Sequence, residues 1–239
     1  MRIDNFGDNL IQLTRMGAFS CYLVREDDGF TLVDTGLAGS ASGILEAARQ
    51  ADGSIWRIVL THPHGDHVGS LDELHAALPE VEVMLSTRSA RLMARDFTLD
   101  PDEPQSPVRG SWPVVTTQPT KTFEAGDRIG SLEVILSPGH TPGHVSFLDS
   151  RDGTLISGDA FSTQGGTKVS GDTNFLFPFL MMATWHKPTA LTSAQRLVDL
   201  HPERLAVGHG PVLFSPVPAM EQAIQVASRH WKVASYAKA

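Results

Sequence analysis

The sequence holds a single cysteine, Cys21, among 239 residues, so no disulfide can form within the chain. No apolar run approaches the roughly 20 residues that a membrane-spanning helix needs, so no membrane partner is expected. The first residues, Met-Arg-Ile-Asp-Asn-Phe-Gly-Asp-Asn, lack the basic-then-apolar pattern of a secretory signal. With a lone thiol, this leads to the expectation of a cytoplasmic, reducing location. Cations are also in short supply: 19 Lys and Arg stand against 27 Asp and Glu, a formal net charge of -8. Binding to nucleic acid by displacing counterions from phosphates calls for a basic face. The balance therefore argues against a nuclease, and no nucleic-acid partner is expected. No Ser–His or Cys–His arrangement offers a nucleophile, and Cys21 sits in a strand-like run where it reads as a buried thiol.

What remains is the make-up of a globular chain, 41% hydrophobic and 19% charged, long enough to bury a sizeable core. Leu10–Thr14, Ser20–Arg25 and Phe30–Asp34 read as short strands, with Asp27-Asp28-Gly29 as a hairpin turn. A helix is expected over Ser40–Ala51, a buried strand over Ile58–Leu60, and helices over Leu71–Leu78 and Ser86–Arg95. Between Asp96 and Thr120 five prolines break any regular element, which suggests either a functional loop or a plain insertion. Strands follow at Phe123–Asp127, Leu132–Leu136 and Val145–Leu148, then helices at Thr192–Leu200 and Pro218–Arg229 around a short strand, Leu205–Val207. Asp152-Gly153 followed by Thr154 to Asp159 echoes Asp28-Gly29 followed by Phe30 to Asp34. One domain over 1–239 is expected, built from two related halves, about 1–120 and 121–239, with two sheets face to face and helices outside.

The informative stretch is Thr61-His62-Pro63-His64-Gly65-Asp66-His67, at the mouth of a buried strand. Residues two apart in an extended segment point the same way, so His62 and His64 can grip one metal from one side. The chain then turns at Gly65 and offers Asp66 and His67 to a second metal. Four ligand-type residues within six positions are hard to explain as packing, whereas His75, His186, His201 and His230 each read as structural. Four ligands cannot complete two metals. Candidates for the rest stand beside glycine where predicted strands end: Pro138-Gly139-His140 with His144, Gly158-Asp159, and Gly208-His209.

With Val33-Asp34-Thr35-Gly36 added, these motifs in this order resemble the metallo-β-lactamase superfamily over nearly the whole chain. The resemblance implies an α/β fold, the four-layer αββα sandwich, with the site along one edge of its sheets. It implies His62, His64 and His140 on one metal, Asp66, His67 and His209 on the other, and Asp159 bridging both. Asp34 would orient a histidine through its ring N–H, and His144, just past the ligand position, takes a structural role. Five imidazoles and two carboxylates without a thiolate suit two divalent ions, zinc first, with iron or manganese as alternatives. Such a pair, about 3.5–4 Å apart, lowers the pKa of a shared water to near 7 and polarises a carbonyl or phosphoryl oxygen. Asp66, beside the nucleophile, is the expected catalytic proton carrier to the leaving group.

A small-molecule substrate follows, and its class is read from departures within the superfamily. The bridging Asp159 points away from the true β-lactamases and towards glyoxalase-II-like, lactonase and phosphodiesterase branches. Only Arg229, Lys232 and Lys238 are cationic after His209, which weakens a glutathione-binding, glyoxalase-II-like thioesterase. The acyl-homoserine lactonases often carry a tyrosine shortly after the bridging aspartate, where this chain has Ala160-Phe161-Ser162, and its only tyrosines are Tyr22 and Tyr236. A mononuclear-iron persulfide dioxygenase is a further alternative. Phe161, Phe175, Phe177, Phe179, Met181 and Met182 flank a polar loop that leaves Asp159 and could line an acyl-chain pocket, core packing or a homodimer contact being the other readings. The expectation is a binuclear metal hydrolase of an ester or lactone with an apolar acyl part.

Overall fold

The computed structural model describes residues 1–232 and divides into two compact units. The first comprises Met1–Phe97 with Ser111–Val134, the second Thr98–Gly110 with the chain from Ile135 onward. Tyr236 and Lys238 lie outside the described residues. No helix among those described is long and apolar enough to cross a membrane.

The first unit is built on a seven-stranded sheet in sequence order: β1 (Arg2–Phe6), β2 (Leu10–Arg15), β3 (Phe19–Glu26), β4 (Gly29–Val33), β5 (Ile55–Val59), β6 (Glu82–Ser86) and β7 (Lys121–Phe123). β1 to β4 run antiparallel through tight turns. Gly29, at φ +138°, makes the β3–β4 turn, where a Cβ would stand 2.4 Å from the Ser54 carbonyl oxygen. β4 to β7 run parallel, which demands crossovers, and α1 (Ala41–Gln50), α2 (Leu71–Ala77) and α3 (Thr87–Met93) lie in them. Phe30, Leu32, Val33, Ile58 and Val59 of the central strands are wholly inaccessible, the mark of strands covered on both faces. α1 turns Ala41, Ile44, Ala47 and Ala48 inward at helical spacing. Each Leu, Ile or Val so buried stabilises the fold by about 1.5–3 kcal/mol.

Most of the expected elements are present, and the exceptions have physical reasons. The polar Arg2–Phe6 forms an edge strand mostly open to solvent, so it has no apolar alternation to reveal it. Ser86 ends β6 and caps α3 by accepting the Ser89 N–H at 3.1 Å, so the helix expected from Ser86 starts one residue later. The strand expected over Phe123–Asp127 is corrected: Phe123 ends β7, and Glu124–Asp127 is a turn in which Asp127 Oδ2 accepts the Glu124 N–H at 2.8 Å and Gly126 adopts φ +83°. Turn chemistry overrides strand propensity there. The hairpin of β8 (Arg128–Ile129) and β9 (Leu132–Leu136) follows.

In the second unit come β10 (Val145–Asp149), β11 (Thr154–Ile156), a small hairpin of β12 (Phe161–Ser162) and β13 (Lys168–Val169), then α4 (Phe179–Ala183), α5 (Lys187–Asp199), β14 (Arg204–Ala206), β15 (Leu213–Phe214) and α6 (Val217–Trp231). β10 pairs antiparallel with β11, β11 parallel with β14, and β14 antiparallel with β15. α5 and α6 bury Leu191, Leu197, Met220 and Ala227 in one apolar cluster with Leu155 and Phe161. α5 starts at Lys187 rather than Thr192, because Pro188 fits a first helical turn and His186 Nδ1 caps it by accepting the Thr189 N–H at 3.3 Å. Burial holds the His186 pKa below the usual histidine value, which favours the neutral ring that capping needs.

No helix or strand interrupts residues 96–120, yet the part in the first unit is pinned. Asp72 of α2 accepts the Thr116 N–H at 3.0 Å and the Thr117 N–H at 2.7 Å. Partial burial pushes the Asp72 pKa up, but hydrogen bonds from Thr116 and Thr117 outweigh it and bring it down to about 2. A depressed carboxylate pKa means that this tie is complete above the ordinary aspartate value near 4 and is lost as pH falls through about 2. Asp72→Asn should therefore speed proteolytic cleavage within 96–120 at pH 7, whereas the parent chain should stay resistant from pH 8 down to about pH 4. Equal cleavage rates for the two at pH 7, followed by mass spectrometry, would show that Asp72 does not hold the segment.

Candidate metal centre

β5 ends at Val59 in the middle of the first sheet, and the chain leaves it directly into Thr61–His67. The His67 and Val68 N–H groups both return to the His64 carbonyl at 2.9 and 3.0 Å, closing a turn that throws the side chains to one side. Thr35 grips that turn from the end of β4, its N–H and hydroxyl both donating to the His67 carbonyl, at 2.7 and 2.8 Å. His62, His64 and His67 are all buried, and Asp66 is partly open, with 24% of its side chain accessible.

Asp34 organises this half. Its Oδ1 accepts the Thr61 N–H at 2.8 Å, and its Oδ2 accepts the Thr61 hydroxyl and the His67 Nδ1–H, each at 2.8 Å. An ionised carboxylate only accepts, so His67 must carry its proton on Nδ1 and keep its lone pair on Nε2. Thr61 spends its one proton on Asp34, so its oxygen can only accept from His62 Nδ1 at 3.0 Å, which fixes His62 in the same tautomer. Asp34 does this from a left-handed backbone, φ +61°, an uncommon conformation for a residue with a side chain and the kind of local strain that collects at functional sites. His62 Nε2 then stands 3.1 Å from His64 Nδ1. Two imidazole nitrogens sharing a tetrahedral zinc ion stand roughly 3.3 Å apart.

The second unit supplies three further side chains. His140 follows β9, Asp159 lies in a single helical turn after β11, and His209 follows β14. Asp159 Oδ2 lies 3.3 Å from His140 Nε2 and 3.2 Å from His209 Nε2, a carboxylate oxygen with an imidazole on either side. The outer nitrogen of His140 meets Ser170 Oγ at 2.9 Å. The backbone of His209 is fixed by its carbonyl, which accepts from the Thr163 and Gln164 N–H groups and the Ser162 hydroxyl, all within 3.1 Å. His144 is not available as a ligand. Its Nε2 accepts the Asp159 N–H at 3.1 Å, and its Nδ1 meets Ser137 Oγ at 2.9 Å. It seats the aspartate, the structural role expected of it.

Three of the remaining histidines also have local duties. His186 caps α5, His230 Nδ1 pairs with Asp172 at 2.7 Å, and His201 Nδ1 contacts the Asp199 carbonyl at 2.8 Å. Cys21 is buried, and burial together with the nearby Asp34 charge pushes its thiol well above the usual range, which rules it out as a nucleophile at neutral pH. Tyr22 is likewise occupied in the core, its hydroxyl accepting from Gln12 at 3.2 Å.

Of the aromatic and methionine candidates, Phe161 is corrected: it is wholly buried in the apolar cluster of the second unit and presents no surface to a ligand. Phe177 is buried with its ring 4.5 Å from that of His209, and it meets Phe179 edge-on at 5.3 Å. Phe175, Phe179 and Met182 are exposed, and Met181 is half-buried. Trp112, unforeseen, sits edge-on to His64 at 4.5 Å within the first unit. Phe97 packs beside it and Arg95 donates to its carbonyl at 2.8 Å. A lone tryptophan in an otherwise polar, proline-broken stretch was the only signal for it.

Among the described residues, the side chains that could hold metal are His62, His64, Asp66 and His67 in the first unit and His140, Asp159 and His209 in the second. The donor set fits such ions: imidazole nitrogens, those of His62 and His67 on fixed tautomers, and carboxylates, with no thiolate.

The comparisons with known proteins bear on the family. The model of the metallo-beta-lactamase superfamily matches residues 17–209. The chain is 48% identical over 233 residues to the uncharacterized protein YobT of Bacillus subtilis, covering 96% of this chain and 100% of that one. It is 27% identical to the same organism's "Probable metallo-hydrolase YflN", covering 79% of this chain and 78% of that one. A solved structure of TTHA1623 in a di-iron-bound form superposes with a TM-score of 0.62 at 27% identity, covering 87% of this chain and 95% of that one. The chain belongs to the metallo-β-lactamase superfamily of metal-dependent hydrolases and has its α/β fold.

If Asp34 is the common acceptor described, Asp34→Ala strands three buried donors at about 1–3 kcal/mol each, and urea denaturation should show a loss of several kcal/mol. A loss below about 1 kcal/mol would contradict that role.

Proposed function

We propose that this chain is a binuclear metal hydrolase that opens an ester or lactone bond in a small molecule with an apolar acyl part. The single observation that carries the reading is Asp159 Oδ2, set between His140 Nε2 at 3.3 Å and His209 Nε2 at 3.2 Å. Each spacing is close to that of two ligand atoms sharing one ion, so one carboxylate is poised to serve two. In this reading His62, His64 and His140 take one ion, Asp66, His67 and His209 the other, and Asp159 serves both. Zinc suits the donors, and the di-iron form of TTHA1623 supports iron as the alternative. Such ions supply Lewis acidity and a water whose pKa is near 7.

The chain's own residues do the remainder. Asp66 is the most open of the seven, and its carboxylate can take a proton and pass it to the departing oxygen. Trp112 keeps water from one edge of His64. Phe177, its ring tilted against that of His209, joins the ligand set to the apolar run Phe175–Met182, whose exposed Phe175, Phe179 and Met182 offer an acyl chain a surface to cover.

The test is proton release from a long-chain N-acyl homoserine lactone by enzyme loaded with two equivalents of zinc, with His64→Ala as control. Turnover by the parent chain alone is expected. Phe177→Ala and Met181→Ala should then raise KM more for long-chain than for short-chain lactones. No turnover by the metal-replete protein would reject lactones in favour of thioesters or phosphodiesters. Equal KM effects on both chain lengths would reject the apolar surface.

A further inference from the structure

His140 is held from behind by two buried hydroxyls that lead away to α4. Ser170 Oγ lies 2.9 Å from His140 Nδ1 and 2.9 Å from Thr184 Oγ1. Thr184 Oγ1, itself 3.4 Å from the same ring nitrogen, donates to the Leu180 carbonyl at 2.6 Å. The direction of this chain follows from counting protons. A carbonyl oxygen only accepts, so the one hydroxyl proton of Thr184 goes to Leu180. The proton between the two hydroxyls must then be that of Ser170. Ser170 has no second proton for the imidazole, so the remaining bond is donated by His140 Nδ1–H. Its Nε2, 3.3 Å from Asp159 Oδ2, is the nitrogen left to serve a metal.

We propose that Ser170 and Thr184 are positioning residues that lock His140 in the Nδ1–H tautomer, and that the lock is anchored on the last turn of α4. The tautomer is the one a metal ligand at Nε2 requires, so the inference rests on the assignment of His140 as a ligand. The same junction also fixes the backbone. The Trp185 N–H donates to the His140 carbonyl and the His186 N–H to that of Gly139, both at 2.9 Å. Gly139, at φ +132°, lies so close to α5 that a Cβ would stand 2.2 Å from the Ala190 nitrogen, which leaves the loop little slack. Trp185 Nε1 donates to the Ser106 carbonyl at 2.8 Å, which ties residues 98–110 to the same point. The helix that exposes Phe179 and Met182 is therefore linked to the lone pair of His140 through two hydroxyl groups. A change in how α4 is seated reaches the ligand without any contact to it. His67 differs in kind, because its outer nitrogen faces the carboxylate of Asp34, which also raises ligand basicity.

The test is imidazole ¹⁵N NMR of the full chain, labelled at histidine and stripped of metal, together with zinc affinity by chelator competition. The parent and Thr184→Ser, which keeps the hydroxyl, should show His140 only as the Nδ1–H form. Thr184→Val frees the Ser170 proton to turn towards Nδ1, so an Nε2–H population should emerge and zinc affinity should fall by about tenfold or more. Ser170→Ala, which removes the nearer acceptor, provides a second route should the valine variant fold poorly. A pure Nδ1–H form with unchanged zinc affinity in both variants would overturn the proposal. His140→Gln separates the two claims: if it binds zinc as the parent does while the tautomers shift as described, the lock stands and the ligand assignment falls.

Discussion

An imidazole can offer a lone pair to a metal only from the nitrogen that does not carry its proton, and in a buried ring the neighbour of the other nitrogen decides which one that is. In the first unit the deciding group is the Asp34 carboxylate, which orders His67 directly and His62 through Thr61. In the second unit backbone carbonyls take that part, Leu180 for His140 through Thr184 and Ser170, and Ser157 for His144 through Ser146 and Ser137. Each chain of hydrogen bonds ends on an oxygen that cannot donate, so no hydroxyl in it is left free to choose. The consequence for His144 is opposite in use but identical in logic: its Nε2 lone pair goes to the Asp159 N–H and sets that aspartate between His140 and His209.

This ordering explains why so many buried polar residues surround the ligand set at tolerable cost. A buried hydroxyl or carboxylate without a partner costs roughly 1–3 kcal/mol, more if charged. Here the hydroxyls of Thr61, Ser170 and Thr184 and the carboxylate of Asp34 each meet a partner of the right kind. The α/β framework supplies the positions. Central strands buried on both faces hold their ends steady, and the chain leaves them straight into Asp34 and Thr61. The irregular 96–120 stretch brings Trp112 against His64 in one unit and Ser106 under Trp185 in the other.

How much of this was legible beforehand varied with how local the signal is. His62, His64, Asp66 and His67 fall within six positions, so the cluster announces itself. His140, Asp159 and His209 stand apart in sequence: their place beside glycine at predicted strand ends made them candidates, and resemblance to a family gave each its metal. Thr61, Ser170 and Thr184 carried no signal, since serine and threonine are common everywhere and their role depends on which carbonyl or carboxylate lies behind them. Phe161 looked equivalent to Phe175 and Phe177, yet its neighbours in space, Leu155 and Leu191 among them, make it core. In the fold, strands with apolar alternation were readable, whereas the polar edge strand β1 and the turn at Glu124–Asp127 answered to pairing and to local hydrogen bonds.

The most direct test of the central claim is anomalous diffraction at the zinc edge from crystals of the zinc-loaded protein. Two peaks per chain are expected, one bound by His62, His64 and His140 and the other by Asp66, His67 and His209, with Asp159 touching both. A single peak, or peaks bound by other residues, would contradict that claim.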